Sequence, residues 1–142
     1  MYLTHHIINS NFCKMKYSVE KTEKYTLFQL NEEKLTSIVA PELKSELVKL
    51  NAEGAKNIIL DLSVVKYTDS SGLSSILVGN RLCENEKGLF VIAAPTEHVL
   101  KLIRISQLDS VLTILPTVEE SIDAVFMNEL EQNLKEEGGK EE

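Results

Sequence analysis

The sequence predicts an α/β domain with a mixed sheet of four or five strands, an antiparallel hairpin at its start, and about four helices, mostly on one side. Two observations support this fold class. The first two β-branched runs follow each other directly. After them, short β-branched runs alternate with segments of helical periodicity. Repeated strand–helix–strand units imply parallel pairing, because their crossovers are nearly always right-handed.

The first half of the chain predicts the hairpin and one helix. Runs at 16–21 and 25–30 are rich in Tyr, Val, Thr and Phe and are joined by a short polar link, which is typical of a hairpin. The segment 41–52 carries leucines at three- and four-residue spacing behind a proline that a first helical turn tolerates. This segment is therefore predicted to be the first helix.

The second half alternates strands with helices. Segments 57–62 and 89–93 are almost wholly apolar, as central strands covered on both faces are. Between them, 70–87 places an apolar stripe on one face of a second helix. The remaining predicted elements are a third helix at 96–106, a strand at 111–115 and a fourth helix from 117, which opens with capping-box spacing.

Composition fits one domain of 142 residues and argues against several classes of protein. A net charge of −7 with scattered basic residues disfavours nucleic acid as a partner, because its binders concentrate positive charge on one face. The longest apolar run, 89–94, is far shorter than the ~20 residues of a membrane helix, so no direct membrane insertion is expected. Cys13 and Cys83 lack metal or redox spacing, which indicates reduced thiols in a cytoplasmic protein.

Three regions are predicted along the chain. Residues 1–14 carry no secretory signal and are expected to form an extension outside the fold. Residues 15–127 form the domain. Residues 128–142 hold six acidic residues and two lysines, which predicts an acidic tail too polar to pack far beyond the domain.

The most informative stretch, 61–72, leaves a buried strand and brings Asp69, Ser70, Ser71 and Gly72 onto the start of the second helix. Free N–H groups and the positive end of the helix dipole stabilise an anion there, including a phosphate on a serine. The same residues also fit a purely structural interpretation. In that case Asp69 or Ser70 caps the helix, and Gly72 allows close packing.

Residues 16–126 resemble a STAS domain, the fold of bacterial anti-sigma factor antagonists and of the cytoplasmic tails of sulfate transporters. In the antagonists, a partner kinase phosphorylates the serine after the aspartate of a D-S-[ST]-G motif, which implies Ser70 here. Asp69, Ser71, Gly72 and Thr36 would surround it, with Thr36 in the place of a usual aspartate. The matching pieces are APELK at 40–44, NIILDLSVVKYTDSSGL at 57–73 and TVEESIDAV at 117–125.

The resemblance implies a partner-switching cycle that regulates transcription. The unphosphorylated protein would bind an anti-sigma factor that is also a serine kinase, phosphorylation would end the binding, and a serine phosphatase would restore it. At about 100° per residue, the outward face of the second helix is a candidate partner surface, although Val78 and Leu82 fit a helix–helix contact equally well. Its predicted members are Ser74, Ser75, Val78 and Leu82.

A second function stays open: a STAS subunit, not phosphorylated, of a membrane transport or signalling scaffold. Enzymatic activity is not expected, because the serines lack a G-x-S-x-G elbow and the chain lacks a P-loop. We also expect no cofactor, a monomer or weak dimer, and no metal site, since His5, His6 and Cys13 lack a fourth ligand.

Overall fold

A computed structural model of the chain describes residues 3–7 and 15–138, which form two sheets and four helices. The helices are α1 (Ala40–Ala52), α2 (Ser70–Asn85), α3 (Glu97–Ile105) and α4 (Val118–Gly138). The strands are β1 (Leu3–Ile7), β2 (Tyr17–Lys21), β3 (Thr26–Leu30), β4 (Lys34–Leu35), β5 (Ile58–Asp61), β6 (Tyr67–Thr68), β7 (Phe90–Ala93) and β8 (Thr113–Leu115).

The main sheet has six strands in the order β1–β2–β3–β5–β7–β8. β2 and β3 form the predicted antiparallel hairpin, and β3, β5, β7 and β8 pair in parallel. The predicted α/β class and mixed sheet are confirmed. A second, two-stranded sheet pairs β4 with β6 in parallel.

The main sheet has one more strand than expected, because Leu3–Ile7 pairs antiparallel with β2. The sequence analysis expected residues 1–14 to lie outside the fold, so this expectation is corrected for residues 3–7. Their pairing depends on the unpaired backbone groups at the edge of β2, which an apolar pattern in the sequence does not reveal. The other residues of the predicted extension lie outside the described part of the chain.

The two faces of the main sheet are covered unequally. Buried residues of α1, α2 and α3, such as Leu47, Ile76 and Ile103, share one core with Phe28 and Phe90 of the sheet. The opposite face forms a smaller cluster beneath α4. Three of the four helices therefore lie on one side, as predicted. Because helices cover both faces of the sheet, the central strands β5 and β7 are buried on both sides and have apolar sequences.

α4 continues past the predicted boundary between residues 127 and 128. Within its later part, the Glu129 carboxylate accepts a hydrogen bond of 2.7 Å from the buried Asn57 side chain. The first turns of the predicted acidic tail are thus a continuation of this helix. None of the helices within residues 15–138 is both long enough and apolar enough to cross a membrane.

Candidate functional site

The two-stranded sheet brings two distant segments together beside the D-S-S-G motif. Leu35 of β4 pairs with Thr68 of β6, and both side chains are buried. The Thr68 hydroxyl donates to the Leu35 carbonyl oxygen at 2.9 Å, and the Asp69 N–H donates to the same oxygen at 3.3 Å. The turn that precedes α1 therefore lies against the start of α2.

Asp69 is the N-cap of α2. Its backbone is extended, and its Oδ1 accepts a hydrogen bond from the Gly72 N–H at 3.0 Å. Its Oδ2 accepts a second bond, of 3.3 Å, from the Ser37 N–H. Both carboxylate oxygens are therefore used to hold backbone, and of the two capping candidates it is Asp69 that caps the helix.

Gly72 is required by close packing. A Cβ atom at this position would lie 2.0 Å from the Thr68 Oγ1 and 2.4 Å from the Leu35 carbonyl oxygen. No side chain fits at these distances, because real Cβ atoms stay beyond about 3 Å from backbone atoms. The structural interpretation therefore accounts for both Asp69 and Gly72, and leaves the two serines between them.

Ser70 is the first residue of α2 and is exposed, whereas Ser71 is half-buried. Ser70 borders an open groove of about 350 Å³ between the beginnings of α1 and α2, which we call the α1–α2 groove. The residues that line it are Ser37, Ala40, Pro41 and Lys44 on the α1 side and Ser70, Ser71 and Ser74 on α2.

Thr36 begins the turn that leads into α1. Its carbonyl oxygen accepts hydrogen bonds from the N–H groups of Val39 at 3.0 Å and Ala40 at 2.7 Å. The next residue, Ser37, supplies the N–H that binds Asp69. The structure thus places Thr36 in the segment that contacts the motif, and its backbone shapes that segment.

The predicted partner surface on α2 is only partly exposed. Ser74 is exposed and Val78 is half-buried, but Ser75 is wholly buried, and its hydroxyl donates to the Gly72 carbonyl oxygen at 2.6 Å. The prediction of an outward-facing Ser75 is wrong, because α1 packs beside α2 and buries a wider arc than the apolar stripe alone covers. Leu82 is half-buried and packs against the main core.

Sequence reasoning missed two exposed apolar side chains that flank the motif. Ile38 follows Ser37 and is 78% exposed, and Tyr67 of β6 is 43% exposed. The Tyr67 ring stacks on His98 of α3 with 5.4 Å between ring centroids. An apolar residue in the turn before α1, at Ile38, was the available signal.

Among the described residues, no three potential metal ligands come together. Of the histidine and cysteine candidates for metal binding, His5 and His6 belong to β1, and Cys13 lies outside the described part of the chain.

Comparison with known proteins adds to this geometry. The sequence pattern of the STAS domain family matches residues 16–121. An anti-sigma factor antagonist from Mycobacterium paratuberculosis shares 21% identity over 79% of this chain and 94% of its own, with a TM-score of 0.70. Unphosphorylated SpoIIAA, an anti-sigma factor antagonist of Bacillus, shares 23% identity over 77% of this chain and 95% of its own, with a TM-score of 0.67.

A third similar structure is that of a transporter family protein. A sulfate transporter family protein from Wolinella succinogenes shares 14% identity over 72% of this chain and 84% of its own, with a TM-score of 0.63. At these identities the solved structures show the shared fold. Since the family pattern spans most of the chain and includes the motif at the start of α2, the protein belongs to the STAS domain family.

Proposed function

We propose that this protein is an anti-sigma factor antagonist controlled by phosphorylation of Ser70. One observation carries the proposal: Asp69 and Gly72 of the motif are occupied in holding the local fold, and Ser70 is exposed between them. Structural similarity to antagonists supports it, since SpoIIAA is known in both unphosphorylated and phosphorylated forms.

In this proposal, the protein acts in the cytoplasm by binding partner proteins. When Ser70 is unmodified, it binds an anti-sigma factor that is also a serine kinase, and a sigma factor is released. The kinase then phosphorylates Ser70 and the complex separates. A serine phosphatase removes the phosphate and restores binding, so transcription follows the phosphorylation state of one hydroxyl group.

Charge and burial explain how one phosphate would end the binding. A phosphoserine carries about −1.5 to −2 charges at neutral pH, and here it appears next to Asp69. A partner seated over Ser70 would have to remove water from that charge. Moving a population from nearly all bound to nearly all free requires about 5.5 kcal/mol, which removing the water from a phosphate can cost.

The proposed partner surface is centred on Ser70. Ile38, which follows Ser37, and Tyr67, three residues before Ser70, supply exposed apolar contact area near the motif. Along α2, Ser74 and Val78 extend the surface away from the motif. A Val78→Glu variant is expected to keep its fold and lose kinase binding, and binding equal to that of the wild type would remove Val78 from the surface.

The decisive experiment combines the protein with purified serine kinases of its own genome and ATP, and locates phosphate by mass spectrometry. We expect one phosphate on Ser70, lost in Ser70→Ala and kept in the matched control Ser71→Ala. Ser70→Asp is expected to bind the kinase far more weakly than Ser70→Asn, which has similar size without the charge. Phosphate on Ser71 alone, or equal binding by the Asp and Asn variants, would contradict the proposal.

A second candidate is a STAS subunit, not phosphorylated, of a membrane transport or signalling scaffold. The similarity to the sulfate transporter family protein and the threonine at position 36 favour it. It predicts no modification of Ser70 by any of these kinases and co-purification with a membrane permease.

A further inference from the structure

We propose that Lys44 binds the phosphate of phosphorylated Ser70 and holds it in the α1–α2 groove, so that the phosphoserine bridges the two helices. This inference rests on the proposed function, because it concerns the phosphorylated state of the same site.

The first step concerns the hydrogen-bond donors next to Ser70. The Gly72 N–H and the Ser37 N–H already donate to the Asp69 carboxylate, at 3.0 and 3.3 Å. These groups are therefore not available to a phosphate, and the carboxylate that they bind repels it. A positive charge from outside the motif would therefore strengthen the binding of a phosphate on Ser70.

The second step identifies that charge. Of the residues that line the α1–α2 groove, Lys44 alone is charged. Lys21, Lys56 and Lys66 form ion pairs with carboxylates, but among the described residues Lys44 forms none. Its ammonium group is exposed and uncommitted on the wall opposite Ser70.

The third step concerns the shape of the groove. Ser37, in the turn before α1, and Ala40, Pro41 and Lys44 of α1 form one wall, while Ser70, Ser71 and Ser74 of α2 form the other. A volume of about 350 Å³ leaves room for a phosphate group between them. The hydroxyl groups of the lining serines can donate further hydrogen bonds to its oxygens.

Phosphorylation would then change the partner surface in two ways. It adds negative charge at Ser70, and it withdraws the charge of Lys44 from solvent. The bridge also ties α1 to α2, so the phosphorylated protein gains a contact that the unmodified protein lacks.

The test uses protein with phosphoserine genetically encoded at position 70, so no kinase is needed. The second pKa of the phosphate is measured by ³¹P NMR titration, and folding is checked by circular dichroism. A neighbouring ammonium favours the doubly charged phosphate, so Lys44→Ala is expected to raise this pKa by about 0.5, and Lys44→Arg to restore it. The matched control is Lys49→Ala, on the same helix but lining a different groove.

Equal pKa values in the Lys44→Ala and Lys49→Ala proteins would overturn the inference, because the phosphate would then lie free in solvent. A second readout is the difference in melting temperature between the phosphorylated and the unmodified protein. Lys44→Ala should lower the melting temperature of the phosphorylated protein more than that of the unmodified one. Lys49→Ala should leave the difference unchanged. Failure of every kinase to modify Ser70 would contradict the proposed function without altering either measurement on the encoded phosphoserine.

Discussion

The Asp69 carboxylate accepts a hydrogen bond of 3.3 Å from the backbone N–H of Ser37, which precedes it by 32 residues. Its other oxygen caps α2 through the Gly72 N–H. One side chain thus fixes the start of α2 to the turn before α1. The exposed Ser70 is held at the border of the groove between these two segments.

Asp69→Ala removes the cap and the cross-connection together. We expect the free energy of unfolding to fall by about 1–2 kcal/mol, measured by urea denaturation. Asp69→Asn retains an oxygen that can cap the helix and should lose less. The control is Asp109→Ala, at an exposed position in the 3₁₀ helix Leu108–Ser110 that follows α3. Equal stability of the two alanine variants would show that the Asp69 hydrogen bonds contribute nothing.

Gly72→Ala introduces a methyl group where buried backbone leaves no space. The new Cβ would clash with the Thr68 Oγ1 and with the Leu35 carbonyl oxygen, and both belong to the small sheet. We expect a loss of about 3 kcal/mol or more, seen as a large drop in melting temperature. Ser74→Ala, on an exposed part of the same helix, should melt like the wild type. A Gly72→Ala protein of normal stability would mean that the two segments can separate easily.

Asn57→Ala tests the hydrogen bonds by which one buried side chain connects the link between β2 and β3, the residue before β7, and α4. The buried Asn57 donates to the Lys24 carbonyl oxygen at 2.8 Å and to Glu129 at 2.7 Å, and it accepts from the Leu89 N–H at 2.8 Å. Losing these bonds should cost about 2–4 kcal/mol in guanidinium denaturation. Lys56→Ala breaks only a partly exposed ion pair of 3.5 Å with Glu129 and should cost less than about 1 kcal/mol. Similar losses in the two variants would contradict this ranking.

Stability is expected to fall in alkaline solution because of Cys83. Burial raises the pKa of its thiol from the usual 9.0 to about 12. The folded protein therefore keeps a proton that the unfolded chain releases above pH 9, and unfolding becomes more favourable as the pH rises from 9 toward 12. The slope of unfolding free energy against pH should be shallower in Cys83→Ala than in the wild type. Identical slopes between pH 9 and 11 would show that the thiol does not contribute.

Elements with a strong hydrophobic period could be predicted from the sequence. The stripe of α2 placed Leu73, Ile76 and Cys83 in the core, and all three are buried. β4 and β6 could not be predicted, because each spans two residues and so carries no period. β1 could not be predicted either, because its pairing depends on the edge of β2.

The motif of the candidate site could be predicted from the sequence, but the exposed surface around it could be predicted only in part. Periodicity assigns a helix one buried face, but α1 adds a second contact along α2. Gly79 lies at that contact, because a Cβ atom at this position would lie 3.0 Å from the Leu47 side chain of α1. The position of Lys44 across the groove from Ser70 depends on how two helices pack, which no local pattern contains.

The pairing of β4 with β6 also makes the site depend on folding. Leu35 and Thr68 are 33 residues apart, and α1 and β5 lie between them. Their contact closes a long loop, so its entropic cost must be offset by the packing of the intervening elements. An unfolded or newly made chain carries the same four-residue motif without the capped helix, the groove or the neighbouring turn. A partner that recognises this geometry would therefore distinguish finished domains from unfinished ones.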